Sequence, residues 1–317
     1  MENFGLSYDE VRKIKPDIIY MLMPGYGNTG PYADYRSMGM AIDAITGHSF
    51  LRGYPDMDHS SNSLVHHPDA VAATNGVMAI ASALVHRTKT GEGQFIDMSQ
   101  AESFMTHLGE IYLENQMQSF SRQRRGNRHP DFAPQGVYKC SGEDNWIAIS
   151  IKSDADWSKF KATVGNNNLN SDVFDTLAGR QQHHDQIDKV INEWTCSQDR
   201  YDVLNRLQSD QITSGVVLDC GSDSYADPHL NERDFFQIVE HPSAGIYPMT
   251  GPIFKFESSN GHVIHNPAPC LGQDNMYVLK EVLGYGTDKI TQFEANEIIG
   301  TVPLPGSDMG GSRRVAK

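Results

Sequence analysis

The chain has 317 residues, of which 38% are hydrophobic and 21% charged, and it carries a net charge of −14. This composition can build a core and excludes a wholly disordered chain, and the length is the prior for two domains. The acidic balance argues against broad binding to nucleic acid or anionic membranes, since both want a basic surface.

In chain order, Ser7 is a plausible N-cap for a short helix ending near Lys15. Asp17 to Met23 is an apolar run without alternation, which predicts a strand buried on both faces, as in a parallel sheet. A glycine-rich loop, Met23 to Pro31, follows at the carboxyl end of that strand, where ligands collect in open α/β sheets. Met38 to Gly47 reads as a helix and Arg52 to Ser63 as a polar loop. Pro68 suits the first turn of a long helix rich in small apolar residues, predicted to be buried on all sides. It ends in His86, Arg87 and Lys89 before Thr90-Gly91-Glu92-Gly93. Phe95 to Met98 is a short strand, and Ser99 with Glu102 forms a capping box for a helix running to about Phe120. Arg122, Arg124, Arg125 and Arg128 make a basic cluster, read either as a solvated linker or as contacts to phosphates.

From residue 135 the pattern becomes that of a small α+β domain ending near 225. It has a hairpin (Val137–Cys140 and Trp146–Ile151), helices at Asp154–Val164, His183–Thr195 and Arg200–Leu207, and a strand at Val216–Leu218. A segment over 226–302 returns to the first domain, with strand and turn character at Ile246–Ile264 and an amphipathic helix at Asp274–Leu283. The tail from Pro303 is Gly/Pro/Ser-rich and reads as disordered. Cys140, Cys196, Cys220 and Cys270 are far apart and form neither a metal pair nor a disulfide framework. The histidines show no HExxH or other metal spacing. No continuous apolar run spans a bilayer and the start shows no signal-peptide pattern, so a soluble cytoplasmic setting is expected, without nucleic-acid or membrane partners.

Asp69 stands in the first turn of the long helix, where unpaired backbone N–H groups and the helix dipole favour a carboxylate. On residue type alone it is a helix-start residue or a reactive carboxylate. His66 and His67 flank it and either orient a carboxylate or only line the helix start. Asp97 and Glu102 read as structural. Gly25, Tyr26 and Gly27, in the loop after the first strand, are either a plain turn or a place where backbone approaches a ligand closely.

The pattern Pro68-Asp69, Gly76, Arg87, Thr90-Gly91-x-Gly93-Gln94, Asp97-x-Ser99-x-x-Glu102 resembles the family III, CaiB/BaiF-type CoA-transferases. Met23 to Pro31, Pro134 to Tyr138, Trp146 to Ile149, Asp227 to Leu230 and Ala268 to Gly272 resemble further signatures of that family, over roughly residues 1–295. The spacing from Pro134 to Trp157 is most similar to the benzylsuccinate-type branch. The resemblance implies an α/β fold: a Rossmann-like large domain over 1–134, incomplete at its N-terminus, a small α+β domain over 135–225, and an interlocked dimer or a hetero-oligomer with an N-terminal partner. It implies Asp69 as nucleophile and acyl-CoA and a carboxylic acid as substrates, with no permanently bound cofactor or metal. Gly25, Tyr26, Gly27 and Arg125 are the candidate CoA contacts. The glycine run that covers the site of formyl-CoA transferase is missing between Arg128 and Val137, so a larger organic acid is expected. Two rivals stand beside this reading. One is an α-methylacyl-CoA racemase of the same superfamily, whose Gly-His-Asp histidine has no counterpart in Met38–Asp43. The other is a non-catalytic subunit of a heteromeric transferase.

Overall fold

The computed structural model describes residues 1–63, 66–118, 123–257 and 266–304. Helix α1 (Tyr8–Ile14) starts at Ser7, whose hydroxyl accepts the Glu10 N–H, and leads into strand β1 (Ile19–Leu22). The chain then makes α2 (Gly39–Ile45), α3 (His48–Leu51) and the 24-residue α4 (His67–Thr90). Strand β2 (Gln94–Asp97) returns parallel to β1, in register from Ile19↔Gln94 to Leu22↔Asp97. The turn before β2 requires its glycines. Gly91 closes α4 in left-handed backbone, and a Cβ on Gly93 would lie 2.0 Å from the Ile18 carbonyl oxygen. As the crossover between parallel strands, α4 brings its first turn to their carboxyl edge.

Small residues let α4 approach the sheet. A Cβ on Gly76 would sit 2.7 Å from Met21 Cε, and Ala72 and Ala83 are buried. The opposite face corrects the expectation of a helix buried all round: Val77 and Met78 are each 68% exposed and Val85 is 56% exposed. β1 is half-buried along its length rather than covered on both faces, because the parallel sheet has only two strands among the described residues.

Ser99 caps α5 (Gln100–Met105), accepting the Glu102 N–H at 3.2 Å. The single helix predicted from Ser99 to Phe120 is broken by a 3-10 turn at Thr106–Leu108, after which α6 runs Gly109–Gln118. Thr106 turns its hydroxyl back to the Ser103 carbonyl, and Gly109 weakens helix propensity at the break. Phe120 lies outside the described residues.

The predicted hairpin forms as β3 (Gln135–Lys139) and β4 (Trp146–Ser150), with β5 (Thr213–Val217) antiparallel on the far side of β4. Helices α7 (Asp154–Val164), α9 (His184–Thr195) and α10 (Arg200–Ser209) join this sheet in one core, and the short α8 (Leu177–Gln182) precedes α9. Tyr138, Ile147, Ile149, Trp157, Phe160, Ile187, Ile191 and Leu207 are buried together, the strand residues alternating inward as a pleat requires.

Contacts divide the chain into two compact units, Met1–Val217 and Leu218–Lys317. The parallel pair and the three-stranded sheet therefore share the first unit, and the break falls at the end of β5. The second unit holds α11 (Ser222–Ala226), α12 (Pro228–Glu232), the hairpin β6 (Phe236–His241) and β7 (Gly245–Thr250), and α13 (Thr287–Ala295). The helix expected at Asp274–Leu283 forms as π-helix over Tyr277–Val282, and sequence analysis missed α13. Residues 258–265 and 305–317, which take in part of the expected strand region and most of the tail, lie outside the described residues.

Candidate active site

Asp69 is the third residue of α4, directly after Pro68. His66 occupies the N-cap position, but its side chain makes no capping hydrogen bond. Instead His66 Nδ1 lies 3.9 Å from Asp69 Oδ2, as the i,i+3 spacing allows. Both side chains press against the backbone of Gly39 at the start of α2. A Cβ there would lie 2.4 Å from Asp69 Oδ2 and 2.5 Å from His66 Nδ1. The Asp69 side chain is 49% exposed, so a substrate can reach it.

The same short helix carries a buried hub that sequence analysis missed. Asp43 is 1% exposed and accepts hydrogen bonds from Ser49 Oγ at 2.5 Å and Arg52 Nη2 at 2.9 Å. His48 Nδ1 pairs with it at 2.6 Å. Burial opposes the charge on Asp43, but the Ser49 and His48 hydrogen bonds and the neighbouring cations outweigh it and hold the carboxyl below the usual carboxylate range. The paired His48 ring lies 5.7 Å from the ring of His67, the first residue of α4, and 5.2 Å from Phe104. In sequence, the only signal for this hub is an aspartate inside an otherwise apolar stretch.

The glycine-rich loop is held by the start of α5. Gln100 N donates to the Pro24 carbonyl at 3.1 Å, Ala101 N to the Gly25 carbonyl at 3.0 Å, and Gln100 Nε2 to the Met23 carbonyl at 2.9 Å. Asp97, read from sequence only as structural, accepts the Asn28 N–H at 3.0 and 3.2 Å and so clasps the far side of the loop. Gly25 is buried against Ser37, two residues before Gly39, which ties the loop to the chain beside Asp69. Gly27 is buried in left-handed backbone, and the Tyr26 ring meets those of Tyr32 and Tyr35 at 5.9 and 6.5 Å.

Arg125 is not brought to this place. It lines a cleft of about 540 Å³ with Tyr54, Asn127, Arg128, Tyr138 and Asp188, whose walls include neither Asp69 nor the glycine-rich loop. The rest of the basic cluster is engaged within the fold. Arg124 donates to the Phe50 carbonyl at 3.2 Å and to the Met57 carbonyl. Arg128 bonds Asp188 at 2.7 Å and also pairs with Asp185. Arg122 lies outside the described residues. Among the described residues no three His, Cys, Asp or Glu side chains come together in a metal-binding group.

Known proteins share this arrangement of chain. A family model described as CoA-transferase family III matches residues 1–275. A succinyl-CoA–D-citramalate CoA-transferase of Chloroflexus aurantiacus is 25% identical over 300 residues, covering 94% of this chain and 74% of that protein. The beta subunit of a succinyl-CoA–L-malate CoA-transferase from the same organism is 28% identical over 304 residues, with the same coverage of 94% and 74%. A succinate–glutarate CoA-transferase of Agrobacterium fabrum is 24% identical over 284 residues, covering 89% of this chain and 70% of that one. Among solved structures, a CaiB/BaiF family protein from Brucella suis superposes with a TM-score of 0.78 at 26% identity, over 89% of this chain and 72% of that one.

Proposed function

This chain belongs to CoA-transferase family III and is an enzyme, and on that premise we propose that it moves CoA between an acyl-CoA thioester and an organic acid through a covalent intermediate on Asp69. The observation that carries the proposal is the exposed Asp69 carboxylate in the first turn of a long helix, with glycine backbone against it. Unpaired N–H groups and the helix dipole favour the ionised nucleophile there. Asp69 attacks the thioester carbonyl and expels CoA thiolate, giving a mixed anhydride. The thiolate returns to the aspartyl carbonyl and releases the first acid, leaving an aspartyl thioester. The second acid's carboxylate attacks that thioester, and the thiolate then takes the new acyl group and restores Asp69. Every step transfers an acyl group, so acyl-CoA and acid enter as substrates and no resident cofactor is invoked. Gly25, Tyr26 and Gly27 fit a role in backbone approach to the acyl-CoA, with α5 and Asp97 fixing their loop. Arg125, in its separate cleft, fits a contact to a more distant part of the nucleotide.

The names of the relatives point to dicarboxylic substrates of the succinyl, malyl or glutaryl class, larger than formate. Relatives named as alpha and beta subunits favour a working assembly of more than one chain, a homodimer or a hetero-oligomer. The test is trapping. With succinyl-CoA and hydroxylamine, the modified peptide should carry its label on Asp69, and Asp69→Ala should abolish both label and turnover while the fold survives. A label on another residue, or unchanged turnover in the variant, refutes the assignment. No label at all from the intact assembly supports a non-catalytic subunit.

A further inference from the structure

His66 breaks a local rule. N-cap positions favour Ser, Thr, Asp or Asn, whose side chains satisfy the first unpaired N–H groups of a helix. His66 holds that position at the head of the 24-residue α4 and gives it no side-chain bond. Its imidazole is 62% exposed and turned to Asp69, with Nδ1 3.9 Å from Oδ2. Gly39 lies against both groups at once, leaving no room for a side chain where they meet. A residue that contributes no cap while aiming a ring nitrogen at a carboxylate is placed for chemistry rather than for helix stability.

Resting on the reading of Asp69 as nucleophile, we propose that His66 binds the attacking carboxylate of the acceptor acid in the second half of the reaction. In the resting enzyme the imidazole faces the Asp69 carboxylate. Once Asp69 is esterified to CoA sulfur it is neutral, and His66 loses its anionic neighbour. The acceptor carboxylate takes that place, one oxygen on the His66 N–H and the other facing the aspartyl thioester carbonyl. That oxygen bonds to the carbonyl carbon, the C–S bond breaks, and the electron pair leaves on CoA thiolate. The product is the mixed anhydride, and charge is conserved, one carboxylate consumed and one thiolate released. The opening attack on acyl-CoA draws nothing from His66, because there the attacking carboxylate is Asp69 itself, whereas release of the first acid is the reverse of the assisted step and draws on His66 in the same way. Among the described residues, the groups facing His66 are Asp69 and the Gly39 backbone, with His67 next in sequence and the Asp43–His48 pair behind His67.

His66→Asn tests this without endangering the fold, since Asn is among the best N-cap residues. The two half-reactions are read separately on the full-length protein. Labelling of Asp69 by succinyl-CoA, followed by hydroxylamine trapping, reports the first. Discharge of the labelled enzyme by glutarate reports the second. The variant should discharge roughly 10²-fold more slowly, the scale of loss expected when a reacting group is no longer oriented, labelling of Asp69 should slow with it, and the glutarate concentration that gives half-maximal discharge should rise while the succinyl-CoA concentration for half-maximal labelling stays within about twofold. His66→Ala should regain part of its discharge rate when imidazole is added. Slowing with an unchanged dependence on glutarate concentration, or no change in either half, overturns the proposal. Failure of the wild type to label Asp69 refutes the nucleophile assignment instead.

Discussion

A methyl group at position 39 would collide with Asp69 and His66 at once. Gly39→Ala is therefore expected to displace the Asp69 carboxylate, the proposed nucleophile, while leaving the core untouched, and to lower kcat by about 10²-fold, the usual cost of an ångström-scale misplacement. The far-ultraviolet circular dichroism spectrum should not change, because alanine favours the helix that Gly39 begins. Wild-type turnover in this variant would show that Asp69 has slack and that the close approach has no catalytic use. The helix-start position of Asp69 was legible in sequence, because proline followed by an acid marks a helix start within a few residues. Gly39, Asp43 and His48 were not. Their significance comes from contacts between α2 and the segment that enters α4, and only the fold creates those contacts.

In α9 a titratable group is held away from its ordinary state. His184 is buried, its Nε2 accepts the Gln135 N–H at 3.2 Å, and Asp188 lies 3.5 Å away. Burial lowers its proton affinity, and the Arg128 charge adds to that against the opposing pull of Asp188 and Asp185. The folded protein thus binds fewer protons at this site than the unfolded chain does, so stability rises with pH across the histidine range. It is lost as pH falls through the unfolded value of about 6.5, and the loss levels off once the lower folded value is passed. Urea midpoints followed from about pH 8 to about pH 5 should fall, and His184→Gln should flatten the part of the slope that this residue supplies. An identical slope in the variant would place the acid sensitivity elsewhere. Elements with strong periodicity, such as α7 and the β3–β4 hairpin, were read from sequence nearly to the residue, because their patterning and their packing agree. The α5–α6 break and α13 were not, because helix propensity alone does not register a hydroxyl turned back on its own helix or a short helix with little burial.

At the scale of the whole molecule, the outer face of α4 decides between environments. By length and composition α4 could cross a membrane, and only a minor part of its apolar stretch is buried within the chain. Its connections argue otherwise, because it is the crossover between two parallel strands and approaches β1 closely at Gly76, with Ala72 buried. The outer face is also prepared for contact with protein. Thr74, Ser82 and Thr88 each return their hydroxyl to the carbonyl four residues earlier, at 3.0, 2.9 and 2.9 Å, which removes polar groups from between Val77, Met78, Leu84 and Val85. An apolar stripe of this kind, beside a parallel sheet of only two strands, is a surface that soluble monomers rarely leave open. The chain should therefore exist as a stable oligomer at micromolar concentration. Multi-angle light scattering should report at least twice the 35.3 kDa chain mass. Replacing Val77 and Met78 by Glu should break the assembly or drive it to aggregate, since both side chains are 68% exposed in the single chain and would be buried between chains. A monodisperse, fully soluble monomer for the unmodified chain would show that this face stays in water, and the oligomer would have to be abandoned.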